Sequence, residues 1–225
     1  MPRPPRDAPS RRGGLPPGPR AADVLSDLVR AQILSGELAP GTPLREEELS
    51  ATHSVSRHTA RTALATLTAE RLARAEPYRG VRVALLDDDE LIALQQLRCA
   101  LETEALRIVR DRGIHPPDLD DALDELTAAE ASQDWPATLA AHARVHLCLV
   151  DAAGSPRLAE EYRRLDGEMH LLLTHVRPAY APGALSREHR AYVVEALHDP
   201  ERAVRAHLAH STRAILDGRR EARPG

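Results

Sequence analysis

Two histidines four residues apart are the first residues in this sequence whose spacing suggests chemistry. They are His142 and His146, in the segment LAAHARVHLCLV at residues 139–150. On an α-helix this spacing places both imidazoles on one face. Leu139 and Leu149 continue the same stripe, so we expect the face to be buried. Neutral imidazoles suit a divalent metal such as zinc, but a histidine on an apolar face is also commonly a hydrogen-bonded core residue.

Two later segments repeat this arrangement of histidines among apolar residues. In residues 185–197, His189 falls on an apolar stripe, and in residues 200–217 both His207 and His210 share a face with alanines. Three predicted helices would therefore each direct a histidine inward. Each isolated core histidine would need its own buried partner, so the pattern favours a metal or acid-binding site.

The composition predicts a helical protein without a membrane segment. The chain has 225 residues, of which 42% are hydrophobic, with no Phe, one Trp and four Tyr, so the core must be built from aliphatic residues that favour helix. No apolar run approaches the roughly 20 residues of a membrane span, and the N-terminus lacks the apolar segment of a secretory signal. Cys99 and Cys148 lack metal-type spacing, which favours reduced core cysteines over a disulfide and predicts a cytoplasmic protein with no membrane partner.

Charge is distributed unevenly along the chain. All thirty basic residues are arginine. Residues 1–83 carry 13 Arg against 9 acidic residues, a net of +4, whereas residues 84–225 carry 17 Arg against 25 acidic residues, a net of −8. This asymmetry suggests two domains, the first of which meets a polyanion. Arginines within the first 20 residues supply part of the excess, so a charged tail is the alternative.

The first third of the chain has the element order of a winged helix-turn-helix domain. Residues 1–20 are rich in Pro, Gly and Arg and are predicted to be disordered. Within residues 21–84, a helix from Asp23 is followed by a turn in LAPGTPL, a short helix in REEELSATH and a second helix capped by Ser56. Alternating residues on both sides of a break at Pro77–Gly80 then predict a β-hairpin.

The remainder, residues 85–220, is predicted to be an all-α antiparallel helical bundle. The fold class is therefore mostly α, with a small hairpin wing in the first domain. Proline and glycine pairs separate the predicted helices, which are 88–112, 117–132, 136–153, 156–177, 185–197 and 200–217. Such bundles place ligand and metal sites in the core, between facing helices.

The second helix of a helix-turn-helix enters the major groove, and its N-terminal residues meet base edges. Arginine there can pair bidentately with guanine, and hydroxyls or histidine can reach phosphates or bases. The alternative is a solvated helix face, but the element order favours DNA binding. At the hairpin tip, Tyr78 and Arg82 are further candidates for backbone or minor-groove contact. The predicted DNA-binding residues are Arg45, Ser56, Arg57, His58, Thr59, Arg61, Arg79 and Gly80.

Nearly sixty residues of this domain resemble the winged-helix domain of the GntR superfamily of bacterial transcription regulators. The matching features are Gly36, LAPG, L..EELS, VSR..AR.AL..L and a late RG..V. The resemblance implies operator contacts by Arg57 and Arg61. Three departures stand out: His53 replaces a leucine, Ser54 replaces the turn glycine, and RHTAR replaces RTPVR.

The second domain is similar to the FCD effector domain of the FadR-like branch of this superfamily. The matching segments are QLRCALETEA, HARVHLCLVDAAGSPRL, REHRAYVVEAL and DPERAVRAHLAH. The resemblance implies a divalent metal, bound by one Asp and three His, with a small carboxylate beside it. His142 stands at the position of that Asp, so the site would contain only histidines, which favours Zn or Ni over Mg or Mn.

The resemblance implies a metal-ligand set with two positions left open. The preferred ligands are His142, His146, His189 and His210. Arg190 could occupy the position given to His189 if the register shifts, and His207 lies one turn from His210. His170 and His175 either line the same pocket or belong to an amphipathic surface.

An arginine completes the predicted effector site. Arg98 matches the arginine of the first FCD helix, whose guanidinium can bind a carboxylate effector bidentately. The alternative is a surface salt bridge with Glu102, four residues later.

The expected function is a homodimeric, ligand-responsive transcription regulator, a repressor, that binds a near-palindromic double-stranded operator and responds to an organic acid. No catalytic residue is predicted. The alternatives are a regulator whose bundle only dimerises and has lost the metal site, and a metal-dependent enzyme fused to a DNA-binding domain.

Overall fold

The computed structural model describes residues 19–174 and 181–221. The described part of the winged-helix region contains α1 (Pro19–Ser35), β1 (Pro43–Leu44), α2 (Glu46–His53), α3 (Arg57–Ala69), β2 (Ala73–Glu76) and β3 (Gly80–Val83). The described part of the bundle contains α4 (Asp88–Asp111), α5 (Leu119–Ser132), α6 (Trp135–Asp151), α7 (Pro156–Arg163), α8 (Asp166–Thr174), α9 (Ala184–His198) and α10 (Pro200–Glu221). The predicted fold class, a winged helix-turn-helix followed by an all-α domain, is confirmed. Most of the predicted disordered tail, residues 1–18, and His175 lie outside the described residues.

Helix α3 begins where the sequence predicts. The Ser56 hydroxyl accepts a hydrogen bond from the backbone N–H of Thr59 at 3.0 Å, so the first turn of the helix is capped. The apolar face of the helix is buried against the rest of the domain, and its buried residues are Ala60, Ala63, Leu64 and Leu67. This packing leaves the opposite face of α3 exposed, with the side chains of Arg57, His58 and Arg61 in solvent.

The wing is a three-stranded antiparallel sheet rather than a hairpin alone. The strand order is β1-β3-β2, and Pro43 and Leu44 pair with Arg82 and Val81 of β3. The expectation that LAPGTPL is only a turn was therefore wrong. The strand contains just two residues, and its pairing partner lies about forty positions later, so local sequence could not indicate it.

In the bundle, the single helix predicted over 156–177 is two helices, which is a correction. The chain turns at Arg164 and Leu165, where the Leu165 N–H bonds the Tyr162 carbonyl at 3.0 Å, three residues back. The turn has a packing cause. Tyr162 of α7 belongs to a core cluster of the bundle, whereas Leu165 and the following leucines join the core of the winged-helix domain. Two short helices allow Tyr162 to pack in one core and Leu165 in the other.

The largest core cluster draws side chains from both halves of the chain. Leu25, Val29 and Ile33 of α1 share it with Leu139 of α6 and with α8. From α8 the cluster includes Met169, Leu171, Leu172 and Leu173. The boundary near residue 84 therefore separates two chain segments whose apolar side chains pack together.

The structure tests the expectations about a membrane segment and about the two cysteines. Among residues 19–174 and 181–221, no helix has both the length and the apolar character that crossing a membrane requires. Cys99 and Cys148 are both free and partly buried, in agreement with the prediction of unpaired cysteines.

Candidate functional site

Three of the predicted metal ligands meet in the core of the bundle. His142 and His146 of α6 and His189 of α9 each offer a ring nitrogen, and these nitrogens lie within 4.8 Å of one another. All three side chains are buried, with exposed fractions of 5%, 1% and 1%. The apolar stripes predicted for the two helices are buried as well. Helical periodicity was therefore enough to predict that all three histidines face the core.

Hydrogen bonds set the orientation of two of the rings. The Nδ1 atom of His146 lies 3.1 Å from Oε2 of Glu102, and Nδ1 of His189 lies 2.8 Å from the Leu185 carbonyl oxygen. An ionised carboxylate and a carbonyl can only accept, so each Nδ1 carries the proton and each Nε2 carries a lone pair.

The two bare Nε2 atoms face each other. The distance between Nε2 of His146 and Nε2 of His189 is 3.2 Å, and two lone pairs at this separation repel unless a cation lies between them. Two nitrogen ligands of a tetrahedral zinc, each about 2.0–2.1 Å from the metal, are about 3.4 Å apart. The donor set therefore fits a shared divalent ion, with Glu102 orienting one ligand from behind.

Glu102 is the centre of a buried polar network. Its Oε1 lies 2.9 Å from the Arg98 guanidinium and accepts from the Tyr162 hydroxyl, while its Oε2 accepts from the Tyr192 hydroxyl at 3.0 Å and contacts His146. The Glu102 side chain is fully buried. Sequence reasoning considered this residue only as a surface partner and did not consider the tyrosines as site residues. The missed signal is that Glu102 falls on the buried stripe of α4, between Arg98 and Ala105.

Burial keeps the clustered imidazoles neutral, which is the form that binds metal. It lowers the pKa of His146 to about 4, although Glu102 acts in the opposite direction. Burial and the neighbouring imidazoles lower the pKa values of His142 and His189 well below the ordinary value. Burial works to raise the pKa of the Glu102 carboxyl, but His146 and Arg98 together hold it well below its usual range.

We expect the metal-free protein to lose stability as the pH falls from about 6.5 towards about 4. In the unfolded chain His146 regains an ordinary pKa near 6.5, whereas the folded protein protonates it only near pH 4. Protons then bind preferentially to the unfolded chain, so stability present above pH 6.5 is lost on acidification. His146 alone accounts for about 2 kcal/mol between roughly pH 8 and pH 5.

Urea unfolding at the two pH values, with a chelator present, measures this loss. A His198→Gln variant is the control, because that side chain is exposed, and its pH dependence is expected to match that of the wild type. An unfolding midpoint that is the same at pH 8 and pH 5 would contradict a neutral, buried cluster.

The last helix places His207, rather than His210, beside the cluster. The His207 ring centroid lies 4.9 Å from that of His189 and 5.4 Å from that of His146, and its Nδ1 lies 3.5 Å from Oε1 of Glu188. The side chain of His210 is 59% exposed. The buried face of α10 runs through Val204 and Leu208, which rotates His210 out of the predicted position.

The alternative ligand Arg190 also lies away from the cluster. Its side chain is exposed, and its Nη2 atom lies 2.6 Å from Oδ1 of Asp124. The geometry therefore favours His189 over a shifted register in α9.

A cavity of about 370 Å³ adjoins the histidines, which is within the size range of small-molecule sites. Arg98, His142, His146 and His170 are among its lining residues. Of the two histidines left open by the sequence, His170 therefore lines the pocket. The pairing of Arg98 with Glu102 is also present, but both side chains are buried, so the pair is part of the site and not a surface salt bridge.

Three of the predicted DNA-reading arginines are exposed, and each of these three pairs with a glutamate of α2. Arg57 lies 3.1 Å from Glu47, and Arg61 donates through Nε and Nη2 to both carboxylate oxygens of Glu46 at 2.9 Å. Arg45 pairs with Glu48 at 2.7 Å. Exposed pairs of this kind contribute little stability, so the arginines remain available to exchange a carboxylate for DNA.

The wing and the turn before α3 have special backbone conformations. At the wing tip, Tyr78 and Gly80 have φ values of 64° and 78°, and Arg79 is exposed. Ser54, at the position where the resemblance expects glycine, has φ 54°. The turn therefore requires the left-handed conformation that glycine adopts most easily, and serine adopts it here at some conformational cost.

Both halves of the chain match known protein-family models. The model described as "Bacterial regulatory proteins, gntR family" matches residues 21–83, and the FCD domain model matches residues 93–213. The chain belongs to the GntR family, in its FadR-like branch with an FCD domain. It is therefore a DNA-binding transcription regulator and not an enzyme, as the sequence predicts.

Relatives of this GntR-family chain are also regulators. A "Probable D-xylose utilization operon transcriptional repressor" of Paenarthrobacter nicotinovorans is 27% identical over 198 residues, covering 87% of each chain. An "Uncharacterized HTH-type transcriptional regulator BphR" of Paraburkholderia xenovorans (strain LB400) is 40% identical over 79 residues, but the match covers only 35% of this chain and 32% of that protein.

Solved structures share the fold. A putative GntR transcriptional regulator from Rhodococcus sp. RHA1 aligns with a TM-score of 0.73 at 24% identity, over 89% of this chain and 99% of that one. The E. coli protein McbR/YncC aligns with a TM-score of 0.67 at 20% identity, over 90% and 99% of the two chains. At these identities the likeness concerns the fold alone.

Proposed function

We propose that the protein is a cytoplasmic, homodimeric repressor whose helical domain binds a divalent metal, zinc or nickel, together with a small organic acid. The observation that carries this proposal is the 3.2 Å approach of two bare Nε2 atoms, those of His146 and His189, in a buried core. A buried pair of acceptors facing each other needs a cation between them. His142 supplies the third nitrogen, and His207 is the nearest fourth imidazole.

The charge of the donor set supports an acidic effector. Three neutral imidazoles leave the charge of a divalent ion uncompensated, and the nearby Glu102 is already paired with Arg98. When bound, the metal supplies a Lewis-acidic position for an anionic ligand, and a carboxylate in the adjoining cavity would also meet the guanidinium of Arg98. The resemblance puts His142 where the family has an Asp. A neutral histidine there supplies no negative charge, so the metal depends more on an anionic ligand.

The DNA side of the proposal rests on the exposed N-terminal turn of α3 and on the wing. Arg57 and Arg61 are proposed to contact base edges or phosphates, with Ser56, His58 and Thr59 beside them. Arg45, Arg79 and Gly80 are proposed to contact the backbone or minor groove. Two copies of the domain in a homodimer would read two half-sites of a near-palindromic operator. Repression agrees with the relative from Paenarthrobacter nicotinovorans, a probable operon repressor whose match covers 87% of this chain.

Operator binding by Arg57→Ala tests the DNA assignment. The variant is expected to bind a duplex selected in vitro against the wild type about 100-fold more weakly, because a bidentate base contact is lost in each half-site. Fluorescence anisotropy measures the affinity. Arg107→Ala removes the same charge from an exposed position of α4 and is expected to bind like the wild type. Unchanged affinity of Arg57→Ala would refute the recognition surface.

Thermal unfolding and the operator-binding assay, each with Zn²⁺ and a panel of small carboxylates, test the effector site. Metal and acid together are expected to raise the melting temperature and to change the operator affinity of the wild type. If neither metal nor acid changes stability or operator affinity, the bundle serves only in dimerisation and the proposed effector function is wrong.

A further inference from the structure

Helix α8 forms a wall of the effector cavity and also packs into the core that the winged-helix domain shares with the bundle. One of its faces, with Asp166, Met169, His170 and Leu173, lines the cavity beside the histidine cluster. These positions follow helical spacing. Leu171 and Leu172 are buried in the core cluster that contains Leu25 and Val29 of α1 and Leu67 of α3. A ligand that fills the cavity therefore contacts a helix whose other face belongs to the DNA-binding half.

The contact between α8 and the recognition helix is unusually close at Gly167. A methyl group on this residue would lie 2.2 Å from the backbone oxygen of Glu70 and 3.2 Å from Cγ of Leu72. Only a glycine leaves room for this approach of two backbones. Glu70 and Leu72 follow directly after α3, so the contact lies at the C-terminal end of the recognition helix.

A second contact holds the same corner of the structure. The Glu168 carboxylate lies 3.0 Å from Nη1 of Arg71, whose own backbone is left-handed with φ 59°. Arg30 of α1 holds Glu70 from the other side, through two hydrogen bonds of 2.9 Å and 2.7 Å. The end of α3 is therefore fixed between α1 and α8.

Open space also borders the first turn of α8. A second cavity of about 520 Å³ lies beside this contact, lined by Arg30, Glu70, Gly167 and His170 among others. His170 lines both cavities. The open space thus lies beside Gly167 and His170, whereas Leu171 and Leu172 further along α8 are packed in the core. A ligand would therefore move α8 most easily at its first turn, because close packing resists displacement elsewhere.

We propose that α8 transmits occupancy of the effector cavity to the recognition helix, through the contact of Gly167 with Glu70 and the pairing of Glu168 with Arg71. The inference rests on the proposed function, because the ligand is the one that binds beside the histidines. Occupancy displaces α8, the end of α3 loses its fixed position, and operator affinity changes with the placement of the recognition helix.

Gly167→Ala tests the contact without any ligand. The added methyl group separates α8 from Glu70, so operator affinity is expected to fall at least about tenfold. Gly218→Ala, at another helical glycine, in α10, is the matched control and is expected to stay within about twofold of the wild type. Glu168→Gln removes the ion pair without steric strain, and we expect a fall of about threefold in the same direction. Wild-type affinity in folded Gly167→Ala and Glu168→Gln proteins would overturn the proposal.

Hydrogen exchange with Zn²⁺ as the probe tests transmission. In the wild type, added Zn²⁺ is expected to change amide exchange in α6, in α8 and at residues 70–72. A change confined to α6 and α9 would overturn the inference and leave the metal site standing. Calorimetry that shows no Zn²⁺ binding would instead refute the proposed function, and the Gly167→Ala result then decides the coupling by itself.

Discussion

Glu102→Ala is expected to lower the free energy of unfolding by about 4 kcal/mol, because the variant leaves the Arg98 charge buried without a counterion. Arg98 is 2% exposed, and besides its pairing with Glu102 it hydrogen-bonds only to the neutral Gln95 and Tyr162 side chains among the described residues. The hydroxyl of Tyr192 and Nδ1 of His146 lose their acceptor as well. Urea unfolding of the metal-free protein measures the loss.

Glu104→Ala provides a matched control on the same helix. The Glu104 carboxylate is 46% exposed and pairs with Arg107 at 2.8 Å, so its removal is expected to cost less than about 1 kcal/mol. The double variant Arg98→Met with Glu102→Leu removes both charges, and much of the lost stability is expected to return. If Glu102→Ala costs no more than Glu104→Ala, the buried network does not stabilise the fold in the way proposed.

His189→Ala is expected to weaken Zn²⁺ binding by more than about 100-fold. Removal of a residue that merely orients a ligand already costs about 10–100-fold in metal affinity, and His189 contributes one of the two facing Nε2 atoms themselves. Calorimetry against a competing chelator measures the affinity and stoichiometry, and the wild type is expected to bind one ion per chain.

His210→Ala distinguishes the ligand set that the structure favours, with His207, from the set that the sequence favours, with His210. Because the His210 side chain is 59% exposed, its loss is expected to leave Zn²⁺ affinity within about twofold of the wild type. His207→Ala is expected to weaken binding, since its ring packs against the cluster. A large loss in His210→Ala with none in His207→Ala would restore the original ligand assignment.

Local signals in the sequence were sufficient for the helices and the hairpin of the winged-helix domain and for two of the three histidine-bearing helices of the bundle. The cap at Ser56, the apolar spacing in α3 and the alternation around Pro77–Gly80 each depend on neighbouring residues, and local patterns specify such features well. His142, His146 and His189 met for the same reason, since each lies on a strongly apolar stripe.

The errors arose where distant packing decides the outcome. Strand β1 exists only because β3 pairs with it. The face of α10 was misjudged because alanines on one side concealed the stronger stripe of Val204 and Leu208. The spacing of four residues suggested Glu102 only as the partner in a possible surface salt bridge with Arg98, whereas both side chains are buried. The division between α7 and α8 follows from two cores that lie far from it in sequence.

The glutamates of α2 have a consequence for how the protein meets DNA. Because Glu46, Glu47 and Glu48 already neutralise Arg61, Arg57 and Arg45, the protein carries its own counterions at the recognition surface. DNA must displace these carboxylates, which stay attached to the protein and gain no freedom when released. Their negative charges also repel the phosphate backbone, which opposes the charge attraction that drives non-specific binding to any duplex. We therefore expect the protein to bind random duplex weakly, because only an operator that offers good base contacts would offset the loss of these ion pairs.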